Sequence, residues 1–151
     1  MTDIAKTPSR SAPRGIGGWL LVPAFATLIA PILLGLSSWE SALVLAQLER
    51  ARPAVRAFAA GEFLAQVSLL VGWTYALILL WNHRARYPLL FIVLSVAEVV
   101  VQVGDMLIAT YWFRVPTAVI HTGDLIRGLF GCVIWIPYML MSERVRNTFV
   151  K

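Results

Sequence analysis

The chain has 151 residues, 59% of them hydrophobic and only 14% charged, with a mean hydropathy of +0.75. A soluble domain is nearer half apolar and a quarter charged, and its core does not need the apolar runs of about 20 residues that a hydrocarbon layer roughly 30 Å thick demands of a helix. The net charge of +5 arises from basic residues in short flanks beside apolar runs. That placement marks membrane topology rather than a phosphate-binding face, and it argues against a nucleic-acid partner.

Residues 1–15 are polar and rich in Pro, Ser and Thr, which predicts a disordered cytoplasmic tail. The apolar run that follows is too long and too Pro-interrupted for the core of a cleavable signal. A first span is expected over 16–36, kinked by Pro23 and Pro31, with Trp19 anchoring it at headgroup depth. Residues 37–61 hold Glu40, Glu49, Arg50, Arg52 and Arg56 among apolar residues. They predict an outer amphipathic loop, partly helical and broken near Pro53, too charged to cross and lying on the membrane or over the bundle.

The second span is expected over 62–81. The basic turn NHRARYP, from Asn82 to Pro88, then forces the third span, 89–111, to run antiparallel beside it. The connector WFRVPTAVIHTG leads to a fourth span over 120–141, and residues 143–151 form a basic cytoplasmic tail. The fold class is therefore all-α: one polytopic domain, 16–142, built as a four-helix transmembrane bundle.

Orientation follows from Arg and Lys. With both termini cytoplasmic, Lys6, Arg10, Arg14, Arg84, Arg86, Arg144, Arg146 and Lys151 lie inside, whereas Arg50, Arg52, Arg56 and Arg114 lie outside.

Ionisable residues within spans are costly, roughly 2.5–3.5 kcal/mol near a helix centre, and so face the bundle and find partners. In the third span Ser95, Glu98, Gln102 and Asp105 recur at spacings of three and four, which puts them on one face. Glu98 is expected near the midplane, neutral and bonded to Gln102 or a helix carbonyl, or else titrating as a proton carrier. Asp105, Asp124 and Arg127 fall in the outer third with Glu62 and Gln66 of the second span. A polar cluster around Arg127 is expected, with Asp105 as its partner, because a guanidinium can bind a carboxylate bidentately. Such a pair could fix the helix arrangement or line a substrate path. Gly128 and Gly131 should allow close helix approach.

The single cysteine, Cys132, permits no internal disulfide, and His83 and His121 are expected at opposite membrane faces. No metal site and no cofactor are expected. Gly104–Asp105 is similar to part of an intramembrane protease motif, but Gln102 stands where that motif has glycine.

The sequence GIGGWL (Gly15, Gly17, Gly18, Trp19), the Pro-containing first span, WIPY (Trp135, Pro137, Tyr138) and SERVRNTFV (Arg144, Thr148, Phe149) together resemble the family called domain of unknown function 2569. The resemblance spans nearly the whole chain. It implies a small four-span protein of a bacterial inner membrane and implies no reaction. Arg146 stands where Lys is common in the family's closing pattern. The glycines would let the chain turn into the first helix, Pro137 would free the Val133 carbonyl, and the tail would lay Phe149 and Val150 on the bilayer surface with Arg144 and Arg146 on lipid phosphates.

The leading expectation is a non-enzymatic accessory or assembly protein, with the lipid bilayer and another membrane protein or a second copy as partners. The alternative is a small oligomeric transporter or channel that uses Glu98 and Asp105. A lipid-directed enzyme would need a polar cavity near Arg127.

Overall fold

A computed structural model describes residues 15–114 and 122–150, without the side chains of Thr122 and Asp124. A 3₁₀ turn, Gly18–Leu20, leads into α1 (Leu21–Gln47); a second, Leu48–Arg50, links it to α2 (Pro53–Trp81). Helix α3 (Tyr87–Leu107) ends in a π-helical turn, Ile108–Trp112, and α4 (Thr122–Met141) is followed by the short α5 (Glu143–Thr148). Three helical stretches, Gly18–Arg50, Pro53–Trp81 and Tyr87–Trp112, are long and apolar enough to cross a membrane, and Leu125–Met141 is a shorter apolar helix.

The segment 37–61 is not a loop. It continues α1 as far as Gln47 and begins α2 at Pro53, leaving a short connection between them. At 1.5 Å per residue α1 and α2 are each about 40 Å long, more than a hydrocarbon layer requires. Trp19 and Trp39, both exposed, lie twenty residues apart on this stretch, or about 30 Å of helix. Indole rings favour the headgroup level, this separation is that of a hydrocarbon layer, and Glu40, Glu49 and Arg50 follow Trp39 along the helical stretch. The expected helical character and the break near Pro53 are both present, and the helix is more continuous on either side of the break than the expected loop.

The prolines take different roles. Pro53 opens α2 and Pro88 lies in the first turn of α3, where the missing N–H has no helical partner in any case. Pro23 likewise falls in the first turn of α1, so of the two prolines expected to kink the first span only Pro31 is interior. Pro137 lies within α4.

Helices pack in chain order, α1 on α2, α2 on α3, α3 on α4, and no comparable contact joins α1 to α4 among the described residues. The bundle is an arc rather than a closed square. At Gly72 of α2, an added Cβ would lie 2.5 Å from Leu94 Cδ2, so the absence of a side chain sets the α2–α3 approach. Gly128 plays the same part between α4 and α3, where a Cβ would meet Val99 Cγ2 at 3.2 Å. Gly131, expected to do likewise, faces open space.

The close-packed core occupies the end where the termini meet. Leu20, Trp73, Ala76, Tyr87, Phe91 and Phe149 are all buried there. Gly15 N donates to Thr148 Oγ1 at 3.0 Å, and the Arg144 guanidinium lies over Gly17 and Gly18. Gly18 has φ +57°, and a Cβ on Gly17 would meet Arg144 Nη1 at 3.0 Å. Thus GIGGWL and SERVRNTFV form one structure. The expectation that Phe149 rests on the bilayer surface is corrected: its ring is 5% exposed and packs on Tyr87, centroids 4.7 Å apart, with His83 beyond. Only Val150 is exposed.

Gly72→Val should destabilise the protein by about 1–3 kcal/mol, because it overpacks a buried leucine. Equilibrium unfolding in detergent micelles measures this, and Gly131→Val, with open space, should change stability far less.

Candidate functional site

At the other end of the bundle the core gives way to a cavity of about 1040 Å³. It begins in the middle of the bundle, at Ala26, Leu69 and Glu98, and extends to Glu40, Phe58 and Ala109. Each long helix contributes one face. Ala26, Ala30, Leu33, Ser37 and Glu40 come from α1; Phe58, Glu62, Gln66 and Leu69 come from α2. Helix α3 adds Glu98, Val101, Gln102, Asp105 and Met106, and Leu125 reaches in from α4. The recurring spacings of three and four are those of a single stripe down each helix.

Four carboxylates therefore share this space: Glu40, Glu62, Glu98 and Asp105. No Lys or Arg occurs among the described lining residues, and most of the remaining wall is aliphatic. Acidic groups are thus gathered in a largely aliphatic, partly open cleft, with Glu40 at its exposed end.

Glu98 and Glu62 are held by specific partners. Trp73 Nε1 donates to Glu98 Oε1 at 2.7 Å, while the Trp73 ring stands edge-on to Phe91 with centroids 5.5 Å apart. The expected partners of Glu98, Gln102 or a backbone carbonyl, are replaced by an indole from the next helix. Gln66 Nε2 donates to Glu62 Oε1 at 3.3 Å, and Ser41 Oγ donates to Gln66 Oε1 at 3.0 Å. The first bond lies within α2 and the second joins α1 to it, so Glu62 is held in place through Gln66. Gln102, also in the wall, has its side-chain oxygen buried without a partner among the described residues. Phe58 meets Phe113 at 5.4 Å, so an aromatic pair borders the outer part of the cavity.

Of the residues singled out in the sequence, Glu62, Gln66, Glu98, Gln102 and Asp105 converge on the cavity. Arg127 is exposed on α4 and is not among the described lining residues, where α4 is represented by Leu125. The Asp124 side chain and His121 lie outside the described residues. Cys132 directs its thiol to the Ser95 carbonyl, 3.5 Å away. Trp135 and Tyr138 stand edge to face at 5.8 Å beside the core. No group of three or more His, Cys, Asp or Glu side chains among the described residues could hold a metal ion.

Two site residues escaped the sequence reading. Glu40 was assigned to a loop, although its spacing of three from Ser37 and seven from Leu33 places it on the cavity stripe once α1 is extended. Trp73 is not singled out by the sequence, because its separation of 25 residues from Glu98 carries no local signal.

The family described as Protein of unknown function (DUF2569) matches residues 13–150, so the chain belongs to that family. No curated protein and no solved structure matches it.

Trp73→Phe should leave the Glu98 carboxyl without its donor and cost about 1–3 kcal/mol. In a double-mutant cycle with Glu98→Leu, unfolding in detergent should yield a coupling energy of at least ~0.5 kcal/mol; strict additivity would show that the bond contributes nothing.

Proposed function

We propose that this family member is a small multi-span membrane protein that binds an organic cation with an apolar body in the acid-lined cavity and carries it across the bilayer. The supporting observation is the cavity itself. It brings Glu98 and Asp105, together with Glu40 and Glu62, into one space walled by aliphatic side chains. Its volume, about 1040 Å³, is at the upper end of the roughly 300–1,000 Å³ usual for small-molecule sites. A bare ion needs a compact ligand shell, whereas an apolar wall with a few convergent acids suits a larger cation.

The chemistry is exchange. A carboxylate in an apolar enclosure is stable when protonated or when paired with a cation. An arriving cation displaces the proton, and its departure lets the proton return. Trp73 holds Glu98 in place throughout, at the floor of the cavity, where the close-packed core blocks passage toward the termini. The close-packed core lies between the cavity and the end that carries Gly15 and Phe149, an asymmetry that suits an alternating carrier in one of its two states.

We place both termini in the cytoplasm of a bacterial inner membrane, with four crossings. Arg84, Arg86, Arg144 and Arg146 belong to the same end of the bundle as the N-terminal glycines, and Arg excess marks the cytoplasmic side. The cavity then opens outward. No catalytic step is assigned.

A second reading, an accessory protein that binds a partner through a helix face, is favoured by Gly131, which has open space beside exposed Phe130 and Ile134. Gly128, its companion in that expectation, is already used against α3.

Three probes test the first reading on protein in lipid nanodiscs, with empty discs subtracted: benzyltrimethylammonium, tetramethylammonium and phenylmethanesulfonate. Benzyltrimethylammonium should bind best and the anion not at all. Binding should weaken as pH falls, because protonation removes the charge that holds the cation. In proteoliposomes, Glu98→Gln and Asp105→Asn should each slow uptake of benzyltrimethylammonium roughly tenfold or more, the loss of a charged contact. Uptake unchanged in both variants would remove these residues from the mechanism.

A further inference from the structure

A second cavity, about 630 Å³, lies at the other end of the bundle over the last turns of α2. Tyr75, Ile78, Leu79 and Asn82 supply its helical wall, and Arg84 and Arg86 supply the rim. The spacing of Tyr75, Ile78 and Leu79 puts them on one face of α2, and Asn82 follows at its C-cap. No carboxylate occurs among the described lining residues.

The backbone explains why the arginines stand there. His83 adopts φ +51°, the left-handed conformation that normally ends a helix at glycine. His83 N donates to Leu80 O at 3.1 Å and Arg84 N to Leu79 O at 3.0 Å, the paired bonds of a Schellman closure. The chain reverses at this point, so Arg84 and Arg86 stay beside the end of α2 instead of running on away from it.

Depth and polarity match a lipid. Trp81, next to the cavity, is 74% exposed, as an indole at headgroup level is. Below it Tyr75 and Ile78 are about half exposed and form an apolar wall leading from the guanidiniums toward the middle of the membrane. Asn82 Nδ2 is committed to the Ile78 carbonyl at 2.8 Å, which leaves its side-chain oxygen to accept from a headgroup hydroxyl. Inorganic phosphate would meet the arginines but leave the apolar wall uncovered.

The geometry points to this cavity as a binding site for an anionic glycerophospholipid. The phosphate lies between Arg84 and Arg86, where guanidinium forks match its oxygens. An acyl chain follows Tyr75 and Ile78, and a headgroup hydroxyl reaches Asn82. The site is independent of the acid-lined cavity and stands whether or not that cavity carries a cation.

Native mass spectrometry of the detergent-purified protein, titrated with phosphatidylglycerol, phosphatidylcholine or inorganic phosphate, tests it. Phosphatidylglycerol should bind roughly tenfold more tightly than phosphatidylcholine, since each arginine near a membrane surface adds to the attraction of an anionic lipid. The Arg84→Ala/Arg86→Ala variant should lose that preference, and Arg84→Lys/Arg86→Lys, which keeps the charge, should retain most of it with unchanged unfolding. Equal binding of the two lipids by the natural protein, or a preference that survives in the alanine variant, would overturn the assignment. So would inorganic phosphate that displaces phosphatidylglycerol at comparable concentration.

Discussion

A carboxyl group in a hydrocarbon layer cannot be left facing lipid, and the arrangement of these helices follows from that constraint. Glu98 is answered by the indole N–H of Trp73 from the neighbouring helix. That bond requires α2 and α3 to lie close, and Gly72 makes the closeness possible by offering no side chain to Leu94. Glu62 is answered from within α2 by Gln66, which is in turn held by Ser41 of α1. The three helices are thus registered against one another by polar groups, while the dispersion contacts of their aliphatic residues fill in around those fixed points.

The molecule is consequently divided along its length. One end is solid, built on Tyr87, Phe91, Trp73 and Phe149, and the other is hollow and acidic. Because α1 and α4 do not close the arc, the hollow end is enclosed mainly by α1, α2 and α3. The functional proposal depends on this asymmetry. A carrier needs a site reachable from one side and sealed from the other, and the solid end supplies the seal. The apolar wall also shields the carboxylates from bulk water, so that a bound cation is held by a few strong contacts instead of many screened ones.

Much of the cavity was legible in the sequence, because the face Glu98–Gln102–Asp105 is set by helical period alone and the period survives in any surroundings. Glu62 and Gln66 followed from the same rule on α2. The segment 37–61 failed for a definable reason. Hydropathy measures affinity for lipid, not continuity of helix, so charged residues beyond the apolar layer looked like a loop when they were helical extensions. Glu40 was lost with it. Trp73 was illegible because its role depends on the register between two helices. The closing motif was misjudged in the same way: Phe149 looked like a lipid-facing anchor because nothing in RVRNTFV reveals that Tyr87 and the N-terminal glycines await it. The resemblance to DUF2569 named both end motifs without indicating that they touch.

That junction bears on biosynthesis. Gly15 and Thr148 are separated by 133 positions, so their union must wait until every helix of the bundle between them has been synthesised. Until then the ring of Tyr87 lacks its cover, and the first helix has no latch. Closure of this junction therefore follows the emergence of all the long helices.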